Sequence, residues 1–139
     1  MAFDDVVDLL DRTNVVAVVT TRANGAPIAT PIWSMVVDGV PYIRSAFGPD
    51  SWWYRHVRAG RPVAFAMGDG AIAEQDRAAA LEFPRELVEA VPVPADLPVQ
   101  DRIDQELVRK YADEERSDVE ATMSAQARAC TLRIVAPPA

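Results

Sequence analysis

The chain opens on a helical spacing. Phe3, Val6, Val7 and Leu10 share one stripe while Asp4, Asp5, Asp8 and Asp11 face away, so residues 3–12 read as a short amphipathic helix. Thr13-Asn14 breaks it. From Val15 the period changes: Val15-Val16-Ala17-Val18-Val19-Thr20-Thr21 is rich in β-branched residues and reads as a strand. Asn24-Gly25 predicts a type I′ hairpin turn, which needs positive φ at both central positions. A second strand is expected from Ala26 to Val37. It carries Pro27 and Pro31, which donate nothing to a ladder and push it toward irregularity or an edge. Asp38-Gly39 gives a second hairpin turn, and a third strand covers 40–46. Three strands joined by two tight turns make an antiparallel meander.

After the loop Phe47-Gly48-Pro49-Asp50, Ser51 is placed to cap a helix over 52–59, with Gly60 closing it. A strand at 62–67 and the turn Gly68-Asp69-Gly70 follow. Residues 70–85 read as an inserted helical excursion: Ala78, Ala79 and Ala80 favour helix and Pro84 ends it. A strand is expected at 86–93. The segment 98–112 is a helix with Val99, Ile103, Leu107 and Tyr111 on one face and Glu106 spaced to support Lys110. Residues 129–135 read as the last strand. The expected architecture is α+β and mainly β. About six mostly antiparallel strands form a small barrel or strongly curled sheet with helices outside, the alternative being an open α+β sheet. The whole of 1–139 reads as one domain.

Composition narrows the function. At 139 residues, 50% hydrophobic and 25% charged, the chain can bury a core. Its one cysteine, Cys130, and one histidine, His56, rule out an internal disulfide and any multi-histidine or cysteine-rich metal centre. The net charge of −7 argues against nucleic acid or an anionic membrane as partner. An acidic N-terminus and short apolar runs leave a cytoplasmic location as the expectation.

The charge is uneven. Residues 22–67 hold Arg22, Arg44, Arg55, Arg58 and Arg61 against Asp38 and Asp50, a net of +3 that leaves −10 for the rest. All three tryptophans, Trp33, Trp52 and Trp53, fall in the same stretch with Tyr42, Phe47 and Tyr54. Rings supply stacking and guanidiniums grip phosphate, so the segment could line a pocket for a planar phosphorylated ligand near Arg44, Ser45 and Ser51. Equally, Arg55 and Arg58 could point to water and the tryptophans could serve a core or subunit interface. Cys130 reads as a buried inert thiol, His56 as solvent-facing, and the acids of 113–120 as a solvated face.

The run Thr21 to Trp33, followed by Asp38-Gly39 and then Tyr42-Ile43-Arg44-Ser45-Ala46, resembles the FMN-binding split β-barrel superfamily. Within it the chain looks most like the deazaflavin-dependent nitroreductase-like and pyridoxamine-phosphate-oxidase-like members. Trp53 to Pro62 is similar to the tryptophan–tyrosine helix of the deazaflavin enzymes. The C-terminal run looks like a branch of unknown function. The resemblance implies a six-stranded split barrel, a homodimer, and FMN or a deazaflavin coenzyme in a groove between subunits. It implies that Thr30, Pro31, Ile32 and Trp33 border the ring, and that Arg44, Ser45, Ser51, Trp52 and Trp53 hold the phosphate end. Many relatives carry a phosphate-contacting lysine shortly after the third strand. Here that loop has none, so Arg44, Arg58 or Arg61 would have to take its part.

The function expected on this basis is a flavin- or deazaflavin-binding oxidoreductase acting on a small organic substrate by hydride transfer. Tyr54 and Ser45 are the candidate proton donors. The alternative is a noncatalytic split-barrel dimer that binds another small molecule or a partner.

Overall fold

The structure, a computed structural model, describes residues 2–138. Helix α1 (Ala2–Arg12) leads into β1 (Val16–Thr21), β2 (Pro27–Ile32), β3 (Ser34–Val37) and β4 (Val40–Arg44). Helix α2 (Trp52–Arg58), β5 (Val63–Ala66), α3 (Arg77–Ala80), β6 (Arg85–Val93), α4 (Val99–Lys110), α5 (Arg116–Thr122), α6 (Ala125–Ala129) and β7 (Thr131–Val135) follow. Short 3-10 turns occupy Gly48–Asp50 and Gly70–Glu74. Among the described residues no helix is long and apolar enough to cross a membrane.

The seven strands form one curled antiparallel sheet in the order β2-β1-β5-β6-β7-β4-β3. The expected second strand, 26–37, is therefore two. It pairs with β1 up to Ile32, steps out at Trp33, and pairs with β4 from Ser34 onward. The two ends of the sheet are thus consecutive pieces of chain joined by a single residue. That step raises the count from six strands to seven. Strand β6 joins the two halves: Arg85 to Val88 pair with β5 and Glu89 to Val93 with β7.

Two turns differ from each other. At Asp38-Gly39 both residues have positive φ (51° and 77°), as a type I′ turn requires. At Asn24-Gly25 only Gly25 does (88°). There Gly25 donates to the Arg22 carbonyl and Arg22 to that of Ala26, which makes a three-residue loop with glycine at the bulge position.

Strand β1 is buried along nearly its whole length because both of its faces are covered. Val16 and Val18 join Val6, Leu10, Ile43, Phe65, Leu132 and Ile134 in the largest core cluster. On the other face Ala17 and Val19 meet Ala29, Ala64, Ala66, Ala73 and Ala80. These small side chains let the 70–80 segment settle close against the sheet. Gly70 has no room for a side chain: a Cβ there would overlap the backbone of Val16 and Ala17. The third cluster packs Ile103, Leu107 and Tyr111 of the α4 region on Met35, Val37 and Tyr42. Glu106 makes its salt bridge with Arg109 and not with Lys110, though its charge still favours the Lys110 ammonium as the spacing predicts. Lys110 turns inward, its Nζ donating to the Leu10 and Ser34 carbonyls at 2.7 and 2.8 Å. Burial lowers its pKa to about 8.

The acids of 113–120 are exposed, as the sequence reading expects, while Val119 among them is buried. Helices α5 and α6 fill 116–129, and the last strand starts at Thr131, two residues later than its sequence pattern predicts.

Candidate functional site

Trp33 marks the place where the chain changes sheet halves, and it is half-buried there. Its ring stacks on Tyr111, centroids 4.2 Å apart and planes at 11°. The Tyr111 hydroxyl accepts from the Ser34 backbone N–H at 3.0 Å and donates to the Asn14 carbonyl at 2.6 Å. Tyr111, anchored in this way, fixes the orientation of Trp33 from behind. Burial pushes the Tyr111 pKa well up and keeps the phenol neutral.

The residues Thr30, Pro31, Ile32 and Trp33 form one side of a cavity of about 670 Å³. Ser51, Trp52 and Trp53 at the start of α2 form another, with Phe47 beside them. The volume lies within the usual range for small-molecule sites. Two elements not expected here complete it: Arg77 comes from α3, and Asp118, Ala121 and Thr122 from α5. Phe47 and Trp52 are 78% and 65% exposed, so the cavity has an apolar, open flank.

Arg44 touches this cavity but spends its guanidinium elsewhere. Nε donates to Thr131 Oγ1, Nη1 to Asp104 and to the Thr122 carbonyl, and Nη2 to the Gln100 side chain and its carbonyl. All five donors of the fork are taken. Burial pulls its pKa below the ordinary arginine value, while the bonded Asp104 carboxylate holds it up.

Ser45 stands one bond behind the wall. Its hydroxyl donates to the Gly48 carbonyl and lies 2.6 Å from Ser51 Oγ. A hydroxyl carries one proton, so with Ser45 committed to Gly48, Ser51 is the donor of that pair. Ser51 sits at the N-cap position of α2 without capping it and presents lone pairs, not a proton, to the cavity.

Tyr54 is on the buried side of α2, edge-on to Trp53 at 5.9 Å. Burial raises its pKa, and the neighbouring Cys130 thiol adds to that. It does not line the cavity. Arg58 is exposed and also outside it.

Arg61 lines a second, smaller hollow of about 360 Å³ with Ala23, Trp52, Arg55 and His56. His56, read from sequence as solvent-facing, is half-buried, with Nδ1 2.9 Å from Thr20 Oγ1. Its pKa is lowered by burial and then by Arg61, Arg22 and Arg55.

A larger depression of about 760 Å³ between α1 and the 67–71 turn is lined by Asp5, Asp8, Asp69 and Arg12 without an aromatic ring. Arg12 is already paired with Asp8. Nothing there offers a planar ligand a stacking surface.

The family described as "Uncharacterized protein conserved in bacteria (DUF2255)" matches residues 6–134. The chain belongs to that family. Solved structures place the DUF2255 chain in a wider fold group. The heme storage protein HutZ from Vibrio cholerae is 11% identical, with a TM-score of 0.63 over 97% of this chain and 89% of that one. The conserved hypothetical protein Rv2991 from Mycobacterium tuberculosis is 17% identical, with a TM-score of 0.60 over 99% and 82%. An F420 reductase is 18% identical, with a TM-score of 0.55 over 95% and 92%. At such identities the likeness is one of fold, and that fold is a split β-barrel. No curated protein matches this DUF2255 chain.

Proposed function

We propose that the protein binds a flavin or deazaflavin ring in the cavity between Trp33 and the start of α2, and that it is an oxidoreductase for a small organic substrate. The observation that carries this reading is the cavity itself. It is a hollow of about 670 Å³ walled by Trp33, Trp52, Trp53 and Phe47 at the junction of the two halves of a split barrel. Aromatic faces suit a planar ring system. A ring bound there would supply hydride transfer, and the protein would supply orientation and a dry face.

The chain's own residues divide that work. Tyr111 holds Trp33 as a fixed platform. The Ser45–Ser51 pair turns an acceptor toward the cavity, suited to an N–H on a ring edge. Asp118 and Thr122 give the opposite side its polarity. The exposed Phe47 and Trp52 are the surface a second copy of the chain would cover, so the reading includes a homodimer.

Heme, which HutZ stores, is less well served. Among the described residues the one histidine lies in the neighbouring hollow, held by Thr20.

The test is anaerobic titration of the purified protein with FMN and with the deazaflavin coenzyme, followed by tryptophan quenching and the ligand's absorption. Binding of either below ~100 μM, roughly 5.5 kcal/mol, with at least tenfold loss in Trp33→Ala, is the expected result. No binding of either in that range sinks the proposal. Binding without turnover of any electron acceptor leaves the noncatalytic alternative.

A further inference from the structure

The aromatic cavity has walls for a ring but little to hold a phosphate. Arg44 has no free donor. Ser51 gives its proton to Ser45. Arg77 is a single cation, and Asp118 lines the same cavity with opposite charge.

Across Trp52 the balance reverses. This one side chain lines both the aromatic cavity and the smaller hollow that holds Arg55, His56 and Arg61. Arg22 does not line this hollow, but its charge reaches His56 along with those of Arg61 and Arg55. Among the described residues none of Arg22, Arg55 and Arg61 has a carboxylate partner within 4.0 Å, in a chain with 21 acids against 14 bases. Arg61 uses one donor, from Nη1 to the Thr21 carbonyl at 3.3 Å. The other donors of these forks are open for an anion. Two unpaired guanidiniums, Arg55 and Arg61, line this one hollow with Arg22 near by; like charges so placed repel, and a bound phosphate removes that cost.

We propose that the hollow lined by Arg55, His56 and Arg61 is the phosphate subsite of this protein, holding the anionic tail of a ligand whose ring lies on the other side of Trp52. The subsite rests on the ring-binding reading for its ligand, but its geometry stands apart from the ring cavity. Trp52 is the saddle over which the ligand bends.

Parallel titrations with FMN and with riboflavin, its neutral counterpart, isolate the tail. At low salt the wild type should bind FMN at least tenfold tighter than riboflavin, and the gap should shrink as ionic strength rises. Arg55→Gln/Arg61→Gln should abolish the gap and leave riboflavin binding unchanged. Arg77→Gln should keep it. A gap that survives the double substitution, or that disappears in Arg77→Gln alone, overturns the proposal. If neither flavin binds the wild type, the ring reading has failed, and inorganic pyrophosphate becomes the probe. The His56 ring signals should then shift and saturate in the wild type but not in the double variant. No saturable shift overturns the subsite as well.

Discussion

Trp33 lies flat against Tyr111, and the Tyr111 hydroxyl bridges the backbone of Ser34 and Asn14. One phenol thus supports the ring platform and ties the step between β2 and β3 to the segment before β1. Tyr111→Phe keeps the stack and leaves the buried Ser34 N–H without its acceptor. We expect a loss of about 1–3 kcal/mol in urea unfolding, with ring binding little changed. Tyr111→Ala should weaken ring binding as well, because Trp33 loses its backing. Equal binding losses in both variants would separate Trp33 orientation from the stack.

Arg44 should behave as a structural residue. Breaking a buried ion pair costs about 3–5 kcal/mol, so Arg44→Ala should lower the thermal midpoint steeply. Arg44→Lys should not restore it, since one ammonium cannot reach Asp104, Gln100, Thr122 and Thr131 together. A Lys variant with wild-type stability and lost FMN binding would instead make Arg44 a ligand contact.

Gly70→Ala should destabilise by at least about 3 kcal/mol, the upper end for overpacking, because the added carbon meets backbone in β1 and not a movable side chain. Gly25→Ala has open space around it and pays only for its left-handed backbone, about 1–2 kcal/mol. Chemical denaturation of the two variants side by side checks the order.

His56 makes the protein sensitive to mild acid. Its pKa in the folded chain is below the ordinary value of about 6.5, with Arg61, Arg22 and Arg55 facing it. As pH falls below about 6.5, the unfolded chain takes up the proton before the folded one does, so stability drops. His56→Gln should flatten that slope in a pH series of unfolding free energies. A wild-type curve no steeper than the variant's would remove His56 from the account.

Much of the fold was readable because its signals are local. The valine run of β1, the Asp38-Gly39 turn, the i+4 stripe of α4 and the glycine closing α2 each act within a few residues. The break at Trp33 was hidden because Pro31 and Trp33 look like a strand irregularity until β1 and β4 claim opposite halves of the segment. The site divides along the same line. Thr30 to Trp33 and Ser51 to Trp53 line one cavity together. Arg77 and Asp118 were out of reach, since each arrives from a segment with no chemical motif of its own. The role of Arg44 was invisible for a similar reason: its partners Asp104, Gln100 and Thr131 lie 56 to 87 residues away.

The position of β7 has a bearing on synthesis. It is the last of the seven strands to be made, yet it lies between β6 and β4, where it joins the β3–β4 hairpin to the rest of the sheet. While the ribosome is still adding residues 99–130, that hairpin has no neighbour to pair with on its β4 side. The sheet can be completed only once β7 has emerged, so its closure must wait until Thr131–Val135 have been made. Until then the nascent protein carries two open strand edges, on β4 and β6, that the finished molecule never shows.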